Sequence, residues 1–179
     1  QRLIWEDASW TVQGATTLIG ANGQGKSSTL RMLAGQLAPT SGTLSFRAAD
    51  GEVSVETWMT RCSIAAPWLN LPGHLTLEEA MSFHSVYRTP RTGPLHWAAL
   101  VETSGLLVDP SLPVSQWSSG QQQRLMLALA LGTEADAVLL DEPASNLDEA
   151  GIQWMKAQMT AVQALSTVVV ATNDEKKEG

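Results

Sequence analysis

The sequence is poor in cysteine and in long apolar runs, and each shortage excludes a class of protein. Cys62 is the single cysteine, so no disulfide can form within the chain. We interpret it as a small buried side chain, and we expect a reducing compartment, the cytoplasm. The longest apolar run, residues 125–131, is far shorter than the roughly 20 residues of a membrane-spanning helix. No basic and apolar leader opens the chain, so we expect no secretion signal.

Positive charge is also scarce. The 11 Lys and Arg residues are outnumbered by 18 Asp and Glu residues, which gives a formal net charge of −7. This balance argues against a nucleic-acid partner, because such a partner is held by cations that neutralise its phosphates. His74, His84 and His96 lack the spacing of metal ligands. A length of 179 residues and an apolar share of 44% are ordinary for a single domain, residues 1–179.

The sequence does contain an alternation of strand and helix patterns. Strands are predicted at residues 2–12, 15–19, 43–46, 137–140 and 167–171, and helices at 26–37, 77–86, 95–102, 119–131 and 152–165. The helix at 77–86 begins with a capping box, in which Thr76 is followed three residues later by Glu79. Strands separated by helices predict an α/β fold with a mostly parallel, buried sheet. A helical subdomain at about residues 67–115 interrupts the alternation and divides a core of about residues 1–66 and 116–179.

A glycine-rich loop with a lysine follows the predicted strand at 15–19. It matches G-x-x-x-x-G-K-[ST] and predicts a nucleotide-binding phosphate loop, with the candidate residues Gly20, Ala21, Asn22, Gly23, Gln24, Gly25, Lys26, Ser27 and Ser28. Glycines let the backbone wrap around phosphate oxygens, and backbone N–H groups at the start of the following helix attract the anion. Lys26 would bind the β- and γ-phosphates of ATP, and the Ser27 hydroxyl would bind Mg²⁺.

Two carboxylates, Asp141 and Glu142, end the apolar strand at 137–140. Asp141 is the second candidate metal ligand, because an acid at this position can hold Mg²⁺ beside a phosphate loop. Glu142 is the candidate general base that would orient and polarise the attacking water. An acidic pair alone is more often a solvated strand end. The phosphate loop makes the catalytic interpretation the stronger one, because both features belong to the carboxyl edge of a parallel sheet.

Residues 117–124, Trp-Ser-Ser-Gly-Gln-Gln-Gln-Arg, resemble the Leu-Ser-Gly-Gly-Gln signature of ATP-binding-cassette (ABC) proteins. They precede the acidic pair by about 20 residues, as in that family, and residues 145–148 resemble its D-loop. The resemblance covers almost the whole chain. It implies the fold of a P-loop NTPase, in which helices flank a mostly parallel sheet, with an antiparallel β part near the N-terminus and an inserted helical subdomain.

The resemblance also implies that two ABC subunits close head-to-tail around two ATP molecules. The signature of one subunit would then face the γ-phosphate held by the other, through the candidate residues Ser118, Ser119, Gly120 and Gln121. A helix N-terminus aimed at an anion is a physical reason for this arrangement. Ser145 and Asp148 would link the two sites.

This chain departs from the family at two functional positions. Residues 64–68 lack the Gln that senses Mg²⁺ and the transmembrane partner, which predicts altered coupling. Asn173 stands where the family has its switch His, and we count it with Glu142 and Lys26 as a candidate catalytic residue. Asn can donate a hydrogen bond to a γ-phosphate but carries no charge, which predicts slower hydrolysis. The family's adenine-stacking aromatic would precede Gln1, and its last strands and helix would follow Gly179, so we expect both ends to be trimmed or disordered.

The function that the resemblance implies is ATP hydrolysis that drives a transporter. The partners would be a second ABC subunit, in a homodimer, and separate transmembrane permease subunits. The protein would be peripheral on the cytoplasmic face of the membrane, with ATP and Mg²⁺ as cofactors and no nucleic acid. One alternative is a non-transport ABC protein that acts on ribosomes or DNA. Another is a degenerate cassette that binds ATP with little turnover.

Overall fold

The computed structural model describes residues 4–173, which form an α/β fold. The elements in chain order are β1 (Ala15–Ile19), α1 (Lys26–Leu33), β2 (Phe46–Ala48), β3 (Gly51–Val53), α2 (Val55–Arg61), β4 (Cys62–Ala65), α3 (Leu77–Tyr87), α4 (Trp97–Thr103), α5 (Ser119–Leu131), β5 (Ala137–Asp141), α6 (Glu149–Gln163) and β6 (Thr167–Thr172). None of the helices in this described part is long and apolar enough to cross a membrane.

Four strands form the main sheet in the order β1-β6-β5-β4, and every neighbouring pair is parallel. This arrangement confirms the P-loop NTPase fold with a mostly parallel sheet. All five residues of β5 are buried, as expected of a strand covered on both faces. A separate antiparallel pair, β2 and β3, confirms the antiparallel part near the N-terminus.

Side chains alternate between two apolar layers on the faces of the sheet. Val138 and Leu140 belong to one buried cluster, which also contains the buried faces of α4, α5 and α6. Leu139 points into the other cluster with Leu30 of α1 and Cys62. Cys62 is 1% exposed, and burial raises the pKa of its thiol to about 12. Its assignment as a small buried side chain is therefore confirmed.

The prediction of a strand at residues 2–12 is wrong for the part that the structure describes. Residues 4–14 contain no strand, and the backbone turns at Asp7, where φ is +48°. Trp5 and Trp10 pack against each other instead, with ring centroids 5.7 Å apart. An extended segment becomes a strand only when a neighbouring strand supplies hydrogen bonds, and alternating residue types alone do not provide one.

Several element boundaries also differ from the sequence prediction; α6, for example, begins at Glu149 rather than at residue 152. The first helix ends at Leu33 rather than at residue 37, because Gly35 adopts a φ of +75° and a Cβ there would lie 2.8 Å from Val55. The strand predicted at 43–46 begins only at Phe46, whose ring stacks on Trp58 at 5.1 Å.

Candidate functional site

The carboxyl edge of the sheet collects the segments that carry the predicted chemistry. Because β1, β4, β5 and β6 are all parallel, the loops that follow them leave from the same edge. The phosphate loop follows β1, the acidic pair ends β5 and Asn173 follows β6. Three segments that are far apart in sequence therefore meet at one edge. The sequence pattern predicted the first two there, and the family resemblance implied the third.

The phosphate loop joins β1 to α1 through backbone that requires glycine. Gly23 and Gly25 have φ values of +77° and +94°, a region that L side chains rarely adopt. Gly25 is the N-cap of α1, and no side chain caps this helix start. The N–H groups of the first turn therefore face a place where an external acceptor can bind.

Hydrogen bonds from side chains hold the tip of the loop. Gln24 accepts a hydrogen bond from the backbone N–H of Ala21 at 2.9 Å, and a Cβ at Gly20 would lie 2.4 Å from the same Gln24 oxygen. Asn173 donates to the side-chain oxygen of Asn22 at 3.3 Å. The structure thus brings Asn173 to the phosphate loop, across a separation of 151 residues.

Lys26 turns its ammonium group back over the loop. Its Nζ donates to the Gly20 carbonyl at 2.6 Å and lies 3.5 Å from Oε1 of Glu142. The Lys26 side chain is only 10% exposed. The charge is therefore placed inside the curve of the loop, where phosphate oxygens would be its best partners.

Ser27 and Asp141 form a direct pair. The Ser27 hydroxyl donates to Oδ2 of Asp141 at 2.6 Å, and Asp141 is 4% exposed. Burial raises the pKa of the Asp141 carboxyl, although the Ser27 hydrogen bond and the charges of Lys26 and Arg31 oppose the rise. A hydroxyl and a carboxylate side by side are oxygen ligands of the kind that Mg²⁺ prefers.

Glu142 leaves the strand with a backbone conformation that is rare for a non-glycine residue. Its φ is +48°, and its N–H donates to the Ala171 carbonyl at 2.8 Å. Its Oε1 atom is buried and has no hydrogen-bond partner, although Lys26 Nζ lies 3.5 Å away. A buried carboxylate oxygen with a free lone pair can accept a hydrogen bond from a water molecule or a substrate.

The four predicted signature residues lie at the N-terminus of α5. Ser118 is the N-cap: its hydroxyl accepts from the Gln121 N–H, and the Gln121 side chain accepts from the Ser118 N–H, completing a capping box. Beside them is a cleft of about 440 Å³. It is lined by Gly105, Leu107, Ser118, Ser119, Gly120, Gln121, Arg124, Asn146 and Asp148. No phosphate-loop residue lines this cleft, so the structure does not bring the two predicted groups together at one site of a single chain.

Sequence reasoning assigned no role to several residues around these groups, although Arg124 and Asn146 lie within the quoted motifs. Arg124, which lies one turn after the signature, contacts Asp148. It is the only charged residue of α5, and this signal was visible in the sequence. Asn146 has a φ of +64°, and a Cβ at Gly120 would lie 2.7 Å from its carbonyl oxygen. In the segment that lacks Gln, the ring of Trp68 lies 4.7 Å from the guanidinium of Arg31. No local sequence pattern predicts which distant residues these side chains contact.

The ABC transporter family model matches residues 6–145 of the chain. The cytochrome c biogenesis ATP-binding export protein CcmA of Zymomonas mobilis is 36% identical over 154 residues, which are 85% of this chain and 63% of that protein. The human retinal-specific phospholipid-transporting ATPase ABCA4 is 29% identical over 160 residues, 88% of this chain. The chain spans 7% of that long protein, and thus less than two thirds of either relative.

Solved structures show the same fold. The dimeric structure of MJ0796, a bacterial ABC transporter cassette, superimposes with a TM-score of 0.76 at 22% identity. The match covers 98% of this chain and 82% of that one. The family match agrees with the order of the motifs and with the position of Lys26, Asp141 and Glu142 at one sheet edge. The chain therefore belongs to the ABC transporter family of ATP-binding cassettes.

Proposed function

We propose that the protein binds Mg-ATP at residues 20–28 and hydrolyses it as the ATPase subunit of a membrane transporter. The observation that carries this proposal is the convergence of Lys26, Ser27, Asp141 and Glu142 within hydrogen-bond or ion-pair contact. Phosphoryl transfer needs little beyond this from a protein, because positioning and charge compensation account for most of the catalysis.

The residues present fit both ATP and Mg²⁺. The uncapped start of α1 and the Lys26 ammonium group supply positive partners for the phosphates. The described residues contain no cluster of three His, Cys, Asp or Glu side chains that could hold a metal alone. Ser27 and Asp141 would therefore hold Mg²⁺ jointly with phosphate oxygens, which is how Mg²⁺ usually binds at such sites. The ion would neutralise charge that develops on the phosphates.

Glu142 would act as the general base. Its unbonded Oε1 atom would accept a hydrogen bond from the attacking water and then its proton. Lys26 Nζ, 3.5 Å from this oxygen, would hold the carboxylate group beside the phosphate loop. Asn173, bonded to Asn22 at the loop tip, would donate to the γ-phosphate as a neutral group.

We further propose that Ser118, Ser119, Gly120 and Gln121 complete the phosphate site of a second copy. Two observations support this: the cleft beside them contains no residue of the chain's own phosphate loop, and the capped start of α5 adjoins it. The related cassette MJ0796 is described as a dimer. A homodimer would place two nucleotides between two identical faces.

The transport role rests on the relatives. CcmA is named an export protein and MJ0796 a transporter cassette. We propose separate transmembrane permease subunits, a peripheral location on the cytoplasmic face and no nucleic-acid partner, in keeping with the net charge of −7. The helical subdomain, residues 67–115, with α3 and α4, would divide the catalytic core of residues 1–66 and 116–179 and meet the permease.

A slow, regulatory cassette is the second candidate function. Asn173 and the absence of Gln from residues 64–68 favour it, because a neutral amide stabilises a developing phosphate charge less than a cation does. The same residues that bind ATP in the first proposal would bind it in the second. Only the rate separates the two.

The test is the steady-state ATPase rate of the protein compared with Glu142→Gln. We expect the substitution to lower kcat by about 100-fold or more, because a positioned general base contributes that much. Glu149→Gln, on the exposed first turn of α6, is the matched control and should leave kcat unchanged. Equal rates for the parent and Glu142→Gln would reject the active enzyme and support the regulatory cassette.

The transport role has its own test. The tagged protein should sediment with membranes. Mild detergent should release it from them in a complex with the permease subunits. Recovery with ribosomes instead would contradict it and support a non-transport ABC protein.

A further inference from the structure

Arg124 joins three segments around the signature. It lies on α5 one turn after Gly120, and its side chain is 11% exposed. Its guanidinium group donates to the Ser104 carbonyl and to the Asp148 carboxylate. The end of α4, the signature helix and the start of α6 therefore meet at one side chain.

The contact with Ser104 ties the signature helix to the loop after α4. Ser104 is the C-cap of α4, and a cation beside its carbonyl complements the negative end of the helix. One turn earlier on α5, Gln121 donates to the Leu107 carbonyl at 2.6 Å. Two side chains on the same face of α5 thus hold the backbone of residues 104–107.

The contact with Asp148 ties the signature helix to the D-loop. Asp148 is the N-cap of α6 and accepts from the Gly151 N–H at 2.8 Å. That hydrogen bond and the charge of Arg124 lower the pKa of the Asp148 carboxyl. The space around the guanidinium is filled: a Cβ at Gly151 would lie 2.8 Å from Nη2 of Arg124.

We propose that Arg124 is a positioning residue that presents the signature and the D-loop together to the nucleotide of the second subunit. This inference rests on the proposed composite site. The hydrogen bonds of Arg124 go to Ser104 and Asp148 and not to residues 20–28, so its effect is on assembly rather than on binding at the phosphate loop. Lysine cannot replace it, because one ammonium group lacks the planar fork that reaches a carbonyl and a carboxylate at once.

The test uses the full protein carrying Glu142→Gln, so that ATP is retained. The dissociation constant of the dimer in Mg-ATP is measured by sedimentation velocity, with and without Arg124→Lys. We expect Arg124→Lys to raise this constant roughly five- to tenfold. Arg88→Lys is the matched control, since Arg88 also donates to a backbone carbonyl, that of Thr60, but lies outside the signature cleft.

A second readout separates positioning from a general structural role. The Mg-ATP affinity of monomeric Arg124→Lys, measured at protein concentrations too low for dimerisation, should stay within about twofold of the parent. Its thermal midpoint should stay within a few degrees of the parent. Asp148→Asn should also weaken the dimer, and the two substitutions combined should be no worse than the stronger single one.

Three results would overturn the inference. Arg124→Lys could dimerise as well as the parent, the two substitutions could be fully additive, or the loss of dimer could be matched by a loss of nucleotide binding at the chain's own loop. A parent that binds Mg-ATP but never dimerises would instead reject the composite site itself, which is a distinguishable failure of the proposed function.

Discussion

Glu142 shows how one residue combines a strained backbone with a free acceptor. Its φ of +48° carries a steric penalty of about 1 kcal/mol for an L-residue. Backbone hydrogen bonds hold it there, from its own N–H to Ala171 at 2.8 Å and from the Ser145 N–H to its carbonyl at 3.0 Å. Strain of this kind persists where surrounding contacts over-determine it, and it is concentrated at functional sites. The conformation turns the carboxylate toward Lys26.

Replacement of Gly120 should destabilise the fold through a contact with neighbouring backbone. A Cβ there would lie 2.7 Å from the Asn146 carbonyl oxygen, which belongs to the D-loop. We expect Gly120→Ala to destabilise the fold by about 1–3 kcal/mol, because backbone rather than a flexible side chain must move. Urea denaturation measures this change, and Ser119→Ala at the neighbouring exposed position is the control. Equal stability of Gly120→Ala and the parent would contradict the contact.

His84 should make the stability of the protein depend on pH. Burial, with the nearby charge of Arg88, lowers the pKa of His84 from 6.5 to about 4. Its Nε2 lies 3.0 Å from the Thr133 hydroxyl, and its ring meets Trp97 edge-on. Between these two pKa values the unfolded chain binds the proton and the folded chain does not, so acid favours unfolding.

We therefore expect the thermal midpoint to fall as the pH is lowered from about 6.5 to about 4, and the contribution of His84 to be fully favourable above that window. His84→Gln should flatten this part of the profile, because the amide can keep the contact with Thr133 without titrating. The exposed His74→Gln variant should follow the parent. A profile unchanged by His84→Gln would show that other groups control it.

At the scale of elements, two helices begin in the same way but face different surroundings. Thr76 is the N-cap of α3 and Ser118 is the N-cap of α5, and each belongs to a complete capping box. The first lies in the proposed helical subdomain, and the second adjoins the cleft of about 440 Å³. A cap contributes to stability wherever it stands, whereas a role in nucleotide binding depends on its position.

This pair allows the two roles of Ser118 to be separated. We expect Thr76→Ala and Ser118→Ala each to lower the free energy of unfolding by about 1 kcal/mol. Only Ser118→Ala should also weaken the dimer that forms with Mg-ATP in the Glu142→Gln background. Denaturation and sedimentation measure the two effects separately. If both variants dimerise equally well, Ser118 is a cap alone.

At the scale of the whole molecule, nucleotide binding should stabilise the fold by mass action. At a nucleotide concentration of 100 times Kd the gain is about 2.7 kcal/mol, which raises the midpoint by about 5–10 °C for a chain of this size. We expect Lys26→Ala to abolish this shift in Mg-ATP, because it removes the ammonium from the loop. Lys156→Ala, on α6, should keep it. A full shift in Lys26→Ala would reject the proposed binding site.

Short-range features of the sequence were sufficient for much of the fold and for most of the candidate site. The bounds of α5 were predicted to the residue, and the capping box of α3 and the glycine-rich loop between β1 and α1 were located correctly. Each depends on residues within a few positions of one another, so that glycine spacing, caps and periodicity carry the information. The relative order of the motifs was enough to indicate the family.

Only the tertiary structure decided which distant segments meet. It paired β1 with β6, left the described part of the predicted strand, residues 4–12, without a strand partner, and brought Asn173 to Asn22. It also placed Arg124 between the Ser104 carbonyl at the end of α4 and the Asp148 carboxylate at the start of α6. These outcomes depend on packing between residues that are up to about 150 positions apart. The residue types were visible in the sequence, but the pairs were not, because strand pairing and side-chain contacts are selected by the packed core as a whole.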